Sequence, residues 1–386
     1  MSRGTICDAG IVGFSPSGDF SEAVFSPNNH QLLVVKCKDN EECSSWSVCA
    51  TLEQHDQSVS AASWHGPTDR ILSCAQDRTA YVWVRSSKGV WEPQVVLLDA
   101  GVKRGLTCCA WSASGSKIYV GSAAANIAVG CFEDEGQWWI CRLLSQHCST
   151  VTALAPHPSD DKLLASGSTD GRLLIVSTFI KRLDGNKVES FGHVYLDKNL
   201  GAWVHSAAWS STGDRLAVST HDSRVHVLES PPNGGFLQGD QIVTHHIVNM
   251  SILPLKALAF IGEDRLVGGG FDFYPVLITL TQDGWRMTGK WAVKQTKKVN
   301  LVQKIAREKF LSDTLSGRRD ATLGEEEQTR HKNTINWVCC LANIQSKVVQ
   351  HTEARAEPSV SGRALFATAS MDGRVELWTM DDMSPL

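Results

Sequence analysis

The sequence predicts an all-β fold: a propeller of seven four-stranded blades, closed by a strand from the N-terminus. Three observations predict it. A turn motif recurs along the 386 residues, most copies are 45–52 residues apart, and the chain stops soon after the last copy. A unit that repeats at roughly this period and reads as short strands is typical of propeller blades, each of which buries its faces against its neighbours.

The turn motif joins two strands. In "SCAQDRTAYVWV" (73–84), "SGSTDGRLLIVS" (166–177) and "TASMDGRVELWT" (368–379), Ser or Thr stands four residues before an Asp, and Trp or an aliphatic residue stands six after it. An Asp in such a turn accepts backbone hydrogen bonds and tolerates unusual dihedral angles. The pattern places seven turn positions, the first and third of them weaker copies without Asp: Asn29, Asp77, Ala125, Asp170, Asp222, Asp272 and Asp372.

A histidine precedes some of these turns by a nearly constant interval. His55 lies 22 residues before Asp77, and His147 lies 23 before Asp170. This fits the WD-repeat blade, in which His, Ser or Thr, Asp and Trp form a hydrogen-bonded chain. Because the set recurs from blade to blade, we interpret it as structural and not as a catalytic Ser-His-Asp site. Two sets are complete, the second more widely spaced: His55, Ser73, Asp77 and Trp83; and His331, Thr368, Asp372 and Trp378.

The chain ends predict how the ring closes. Only eight residues follow Trp378, so the last blade lacks an outer strand. The segment around Thr5–Cys7 precedes the strands of the first blade and can supply it, which removes an exposed sheet edge. Residues 1–386 are therefore predicted to form one domain.

The composition limits the classes of function that the sequence predicts. With 42% apolar residues the chain can bury a large core, yet no apolar run reaches the roughly 20 residues that cross a bilayer. The start, "MSRGTICDAG", lacks the order of a secretory signal, so a cytoplasmic location is expected. The 12 cysteines form no metal-ligand spacing, and phosphate-binding loops are absent. We predict no enzyme activity, no cofactor, no metal, no nucleic-acid partner and no membrane insertion.

One step of the repeat is 100 residues long, and its surplus predicts a basic helical arm, residues 290–331, between blades six and seven. Residues 290–319 hold nine Lys and Arg against two acids, a charge of +7 in a chain of net charge −4. Asn300 is a suitable N-cap and Gly317 a suitable stop. One apolar stripe follows from helical spacing: Val302, Ile305, Ala306 and Phe310.

A helix of this length is marginal alone in water, so it needs a surface to cover. Three interpretations stay open: it packs on its own blades, its charge meets phosphates of nucleic acid or an anionic membrane, or its apolar face enters a groove on an acidic protein.

Several motifs, taken in order, resemble one family: subunit 1 of the actin-related protein 2/3 complex, its WD-repeat subunit. The motifs span nearly the whole chain, and the blocks at 203–223, 306–310 and 331–335 are the most specific. They are "SPNNH" (26–30), "DRTAYVWV" (77–84), "QWWICR" (137–142), "WVHSAAWSSTGDRLAVSTHDS" (203–223), "LPLKALAF" (253–260), "YPVL" (274–277), "AREKF" (306–310) and "HKNTI" (331–335).

The resemblance implies a non-enzymatic propeller within a seven-subunit assembly that nucleates actin branches on an existing filament. Its implied partners are the small scaffold subunits four and five, actin-related protein 2, the actin filament and nucleation-promoting factors with acidic tails. The family's arm contacts the mother filament and maps to Ala306, Arg307, Glu308, Lys309 and Phe310, to which the stripe adds Val302 and Ile305.

This chain departs from the family in stopping at "TMDDMSPL" where a charged tail often follows. The third copy also carries "SAAAN" without an Asp, which predicts the loss of one turn's hydrogen bonds. A generic WD-repeat adaptor, such as a ubiquitin-ligase substrate receptor or a chromatin reader, is the alternative function. A propeller enzyme with its active residues in the channel is a third.

Overall fold

The computed structural model describes residues 4–37, 46–185, 190–230, 235–238, 244–294, 327–341 and 365–385. These residues form short β-strands with very little helix. The first half of the chain contains β1 (Gly4–Thr5), β2 (Val12–Pro16), β3 (Glu22–Ser26), β4 (Leu32–Cys37), β5 (Trp46–Leu52), β6 (Val59–His65), β7 (Arg70–Ala75), β8 (Ala80–Arg85), β9 (Trp91–Leu97), β10 (Leu106–Trp111), β11 (Lys117–Ser122), β12 (Ile127–Glu133), β13 (Trp138–Leu144), β14 (Val151–Pro156), β15 (Leu163–Ser168), β16 (Arg172–Ser177) and β17 (Val194–Asn199).

The second half continues the same pattern and ends on a two-residue strand. It contains β18 (Val204–Trp209), β19 (Arg215–Thr220), β20 (Arg224–Glu229), β21 (Thr244–Asn249), β22 (Leu255–Gly262), β23 (Arg265–Gly270), β24 (Val276–Thr281), β25 (Gly284–Lys290), β26 (Val293–Lys294), β27 (Glu327–Gln328), β28 (Ile335–Cys340), β29 (Phe366–Ser370), β30 (Arg374–Trp378) and β31 (Ser384–Pro385). One short helix, α1 (Lys181–Asp184), and three 3-10 turns, Gly66–Thr68, Gly235–Gln238 and Met380–Asp382, complete the described elements.

The strands form seven antiparallel four-stranded blades, which confirms the predicted propeller. Blades 1 to 6 are β2–β5, β6–β9, β10–β13, β14–β17, β18–β21 and β22–β25, each paired in chain order. Blade 7 takes β28, β29 and β30 from the C-terminal part and β1 from the N-terminus, with Gly4 opposite Val375 and Thr5 opposite Arg374. The ring therefore closes with the N-terminal strand, as the sequence predicts.

The second strand of a blade is buried along most of its length. All six residues of β11 and of β15 are buried, because neighbouring blades cover both faces of the strand. The core consequently lies between blades. One cluster joins Leu72 and Val82 of blade 2 to Ile118 and Trp139 of blade 3.

The turn between the second and third strands of blade 3 differs from the prediction by one residue. The residue after the aspartate is left-handed in several blades, for example Arg78 (φ 69°) and Ser223 (φ 61°). In blade 3 the left-handed residue is Ala125 (φ 63°), and Gly121 pairs with Ile127 as Gly167 pairs with Leu173. The aspartate position of blade 3 is therefore Ala124, one residue before the predicted Ala125.

Two strand pairings within the blades' own sheets were not predicted. The C-terminal β31 joins the outer strand of blade 6, with Lys290 opposite Ser384 and Gly289 opposite Pro385. The outer strand of blade 3 also pairs in parallel with the outer strand of blade 2, so that these two blades form one continuous eight-stranded sheet. Within the described ranges, no helix has the length and apolar character that a bilayer crossing requires.

Candidate functional site

Of the predicted arm, residues 290–331, the structure describes only the two ends, 290–294 and 327–331, and the predicted filament contacts lie outside the described residues. This applies to all of its candidate site residues: Val302, Ile305, Ala306, Arg307, Glu308, Lys309 and Phe310. The structure does describe the place where this insertion leaves the propeller and returns to it. We call that place the arm root, defined by Trp291–Lys294 and Glu327–His331.

The two ends of the insertion are joined by a short antiparallel ladder. Val293 of β26 pairs with Gln328 of β27, and Lys294 pairs with Glu327. This ladder follows directly after the outer strand of blade 6 and precedes the first strand of blade 7. The 32 residues from 295 to 326 therefore start and end at one point of the rim.

Trp291 anchors the first side of the arm root. Its side chain is 2% exposed and packs edge-to-face on Phe366 of blade 7, with ring centroids 4.7 Å apart. Its indole Nε1 donates to the carbonyl of Thr379 at 2.7 Å, so burial leaves no polar atom unpaired. The next residue, Ala292, accepts a hydrogen bond from the Ser384 hydroxyl at 2.9 Å.

Arg330 anchors the second side. Its guanidinium lies 4.5 Å over the Trp378 ring, donates to the carbonyl of Leu377 at 3.0 Å and pairs with the Asp382 carboxylate. Asp382 also accepts from the amide and hydroxyl of Thr379, at 3.0 and 2.9 Å. Burial alone would raise the pKa of Asp382, but these donors and Arg330 together lower it below the usual value.

The C-terminal residues therefore pack against the arm root and fix it in place. Residues 379–385 cap a 3-10 turn, pair with blade 6 and contact both ends of the insertion. From the sequence, no contact between this segment and blade 6 or the arm was predicted. A two-residue strand that ends in proline has no periodic pattern, so the sequence offered no signal for this role.

The first predicted WD set comes together in blade 2. His55 Nε2 lies 2.9 Å from the Ser73 hydroxyl, which accepts from Trp83 Nε1 at 2.9 Å. His55 Nδ1 lies 3.2 Å from Asp77 Oδ2. Since Trp83 donates to Ser73, the Ser73 proton points to Nε2, and Nδ1–H faces the carboxylate. Hydrogen bonds therefore connect Asp77 in the turn, through His55 and Ser73, to the buried Trp83.

The charge states follow from burial. Desolvation lowers the pKa of His55 despite the nearby Asp77 carboxylate, so the imidazole is neutral at pH 7. Burial would raise the pKa of Asp77, but bonds from the Thr79 hydroxyl and amide and from the Asp56 amide lower it. Ser73 is fully buried. A substrate could not reach its hydroxyl, so this geometry fits a structural link and not nucleophilic catalysis.

Blade 7 holds the second predicted set in the same arrangement. His331 Nε2 lies 2.7 Å from the Thr368 hydroxyl, which accepts from Trp378 Nε1 at 2.8 Å, and His331 Nδ1 lies 3.3 Å from the Asp372 carboxylate. This His331 follows Arg330 directly. The arm root is thus tied to the interior of blade 7 through both Trp378 and the hydrogen-bonded set.

The remaining blades replace parts of the set. In blade 3, Asn126 accepts from Ser122 at 2.6 Å and donates to the carbonyl of Gly101 at 3.1 Å, so the predicted loss of the turn's bonds is partly compensated. Blade 5 has no such chain, because Val218 and Leu228 occupy the Ser and Trp positions. Across the ranges described, no three His, Cys, Asp or Glu side chains are placed to hold a metal ion.

Comparison with known proteins agrees with this architecture. A family model described as "WD domain, G-beta repeat" matches residues 46–84 and 138–177. Each match starts on the outer strand of one blade and ends on the third strand of the next, and each contains one of the histidines predicted from spacing, His55 or His147.

Curated relatives match almost the full length. The chain is 30% identical over 380 residues to "Actin-related protein 2/3 complex subunit 1A-B" of Xenopus laevis, covering 93% of this chain and 91% of the relative. It is 29% identical over 385 residues to subunit 1A of Arabidopsis thaliana, covering 95% and 93%. Subunit 1 of Schizosaccharomyces pombe is 29% identical over 361 residues, covering 88% and 90%.

Proposed function

This chain belongs to the family of actin-related protein 2/3 complex subunit 1, and we propose that it is the non-catalytic propeller subunit of such a complex in the cytoplasmic actin cytoskeleton. In this role it supports nucleation and branching of actin filaments. It packs against small subunits four and five and actin-related protein 2, and it helps to receive promoting factors with acidic tails. Its insertion contacts the mother filament through the stripe from Val302 to Phe310.

The observation that carries this proposal is the arm root. A long, strongly basic segment could act as a directed contact only if its base were fixed, since a flexible attachment would have to be ordered on binding at an entropic cost. Here Trp291 and Arg330 hold both ends to blade 7, and the ladder between β26 and β27 keeps them adjacent. Charge and apolar spacing of the segment then suit an acidic, grooved protein surface such as an actin filament.

The stripe is tested in the complete assembly. A tagged copy carrying Ile305→Ala and Phe310→Ala replaces the chain in its own cells, and the purified assembly is compared with wild type in filament co-sedimentation and branching. Burying one Phe and one Ile contributes roughly 3–6 kcal/mol before association costs. Filament affinity and branch density should therefore fall at least about tenfold while the assembly remains intact.

A matched control truncates exposed apolar side chains on the blades, outside the stripe. Ile247→Ala and Leu253→Ala truncate two apolar side chains that are each 48% exposed on the described blades. This control should sediment with filaments as wild type does. Unchanged branching by the stripe variant would remove the arm from the mechanism. Absence of actin-related proteins from the wild-type preparation would overturn the subunit role and favour a generic adaptor.

A further inference from the structure

The outer wall shared by blades 2 and 3 presents an unusual apolar surface. Strand β13 runs parallel to β9, with Trp139 opposite Val96 and Ile140 opposite Leu97. Residues opposite one another in a parallel pair point to the same side of the sheet, and side chains alternate along each strand. Trp139 and Val96 point inward and are 0% and 5% exposed. The alternate residues therefore face outward together.

Four large apolar side chains form this outward face, which we call the wall patch. They are Val95, Leu97, Trp138 and Ile140, exposed to 50%, 43%, 42% and 36%. Single exposed apolar residues are ordinary, but a contiguous group that includes a tryptophan is typical of a binding surface. Trp138 and Ile140 belong to "QWWICR", a motif that the filament-contact role leaves unexplained.

Trp138 is exposed and yet held in place. Its Nε1 donates to Glu133 at 2.9 Å, which satisfies the polar atom without burying the ring. Its ring lies against Gly136, where an added Cβ would stand 2.2 Å from the indole, so only glycine fits. A fixed aromatic ring loses little conformational freedom on binding, and this is the property of an interface anchor.

The charged residues around the wall patch indicate what kind of partner it binds. At one end of the wall patch Arg142 follows Ile140 on the same face, with its guanidinium 4.0 Å over the Phe191 ring. At the other end Glu133, Asp134 and Glu135 shortly precede Trp138, and among the described residues none of these three forms an ion pair. This negative end disfavours nucleic acid and anionic membranes and favours a protein segment with Lys or Arg beside its apolar side chains. Strands β9 and β13 already pair edge to edge, so a partner covers their face and does not add a strand.

We propose that the wall patch is a permanent docking surface for another protein of the assembly, which covers Trp138 with an apolar stripe that ends in basic residues. The proposal rests on the proposed function, because it needs a partner that stays bound. Obligate interfaces of this kind are more apolar than transient ones and are anchored by buried aromatic side chains. The arm root would then direct the filament contact, and the wall patch would hold this chain in the assembly.

The test changes only exposed side chains. A tagged chain carrying Trp138→Ser and Ile140→Thr is expressed in its own cells, and the assembly proteins that co-elute are quantified against the tag. At least one assembly protein should fall about tenfold or more relative to wild type. A matched control, Val48→Thr with Ile247→Thr, alters side chains that are 56% and 48% exposed on the outer strands of blades 1 and 5, and it should retain every subunit.

A second variant tests the charge separately. Asp134→Lys with Glu135→Lys alters two exposed loop residues, so the fold is unaffected. The same assembly protein should then dissociate at lower salt than from wild type. Wild-type stoichiometry and salt resistance in both variants would overturn the wall patch while leaving the subunit role intact. A wild-type chain that retains no actin-related proteins would instead overturn both.

Discussion

Two tryptophans on the rim of this propeller have opposite surroundings. Trp291 at the arm root is 2% exposed, and the chain's own C-terminal residues cover it. Trp138 on the wall patch is 42% exposed, and no described residue covers its outward face. Both indoles have a hydrogen-bond acceptor, Thr379 for Trp291 and Glu133 for Trp138. The polar atom is satisfied in both places, and only the apolar surface differs.

The difference shows what each region requires. The arm root must be rigid in the free chain, because the segment it carries begins and ends there, and so its apolar surface is sealed by residues 379–385. The wall patch lies on a sheet that is already complete without a cover, since blades 2 and 3 pair directly. The exposed part of its apolar surface has no cover among the described residues, and this is why we assign it to a partner.

The largest expected effect separates the two tryptophans by stability. Trp291→Ala should lower the free energy of unfolding by about 3–5 kcal/mol, because it leaves a cavity beside Phe366 and an unpaired carbonyl at Thr379. Trp138→Ala should lower it by no more than about 1–2 kcal/mol, since 42% of its side chain is exposed and it lies outside the buried cluster that contains Trp139. Urea denaturation of the two variants measures both values. Equal losses of unfolding free energy in the two variants would contradict the interpretation that the chain itself covers Trp291 and leaves Trp138 open.

A smaller effect tests the cover that residues 379–385 form over Trp291, which we call the seal. Asp382→Asn removes the ion pair to Arg330 and weakens the cap at Thr379, which together should cost about 1 kcal/mol. The local effect is more informative than the global one: the seal over Trp291 should loosen, so that acrylamide quenches a larger share of the tryptophan fluorescence than in wild type. Asp381→Asn, next to it in the same turn, is the control. Similar quenching in both variants would exclude Asp382 as part of the seal.

The sequence predicted the repeated part of this molecule well. Spacing, together with the likeness to a WD-repeat blade, located His55, Ser73, Asp77 and Trp83, because the hydrogen-bonded set fixes residue types at fixed distances within one blade. The N-terminal closing strand was also predicted, since an incomplete last blade needs a fourth strand. Blade 3 was misplaced by one residue, because alanines carry no marker for the left-handed position that Ala125 occupies.

What the sequence could not reveal depends on contacts between blades. Alternation along a strand places Trp138 and Trp139 on opposite faces, but only the pairing of β13 with β9 and the burial of Trp139 show which of the two faces outward. The C-terminal seal is likewise invisible in sequence, because Ser384 and Pro385 meet Lys290 and Gly289 across almost 100 residues. The arm residues from Val302 to Phe310 lie outside the described part of the chain, so their role stays a prediction.

The smallest expected effect is a dependence of blade stability on pH. Burial lowers the pKa of His55 and of His147, so both are neutral in the folded chain while the unfolded chain takes up protons below its ordinary histidine pKa of about 6.5. Their contribution is therefore complete above about pH 6.5 and declines as the pH falls below it. Asp382 has a lowered pKa and stays ionised over this interval, so the seal should persist.

The urea midpoint should consequently be lower at about pH 5.5 than at about pH 7.5, whereas the quenching of Trp291 in the folded state should not change. A midpoint that rises on acidification would contradict the neutral state of the buried histidines. Opening of the seal at the same pH would show that the arm root and the blades are not independent.

Hydroxyl-radical footprinting of the assembly purified through this chain tests the account most directly, because it reports the solvent exposure of each side chain. Trp291 should stay unmodified both in the isolated chain and in the assembly. Trp138 should be modified in the isolated chain and protected in the assembly. Equal modification of Trp138 in the two samples would contradict the assignment of the wall patch to a partner.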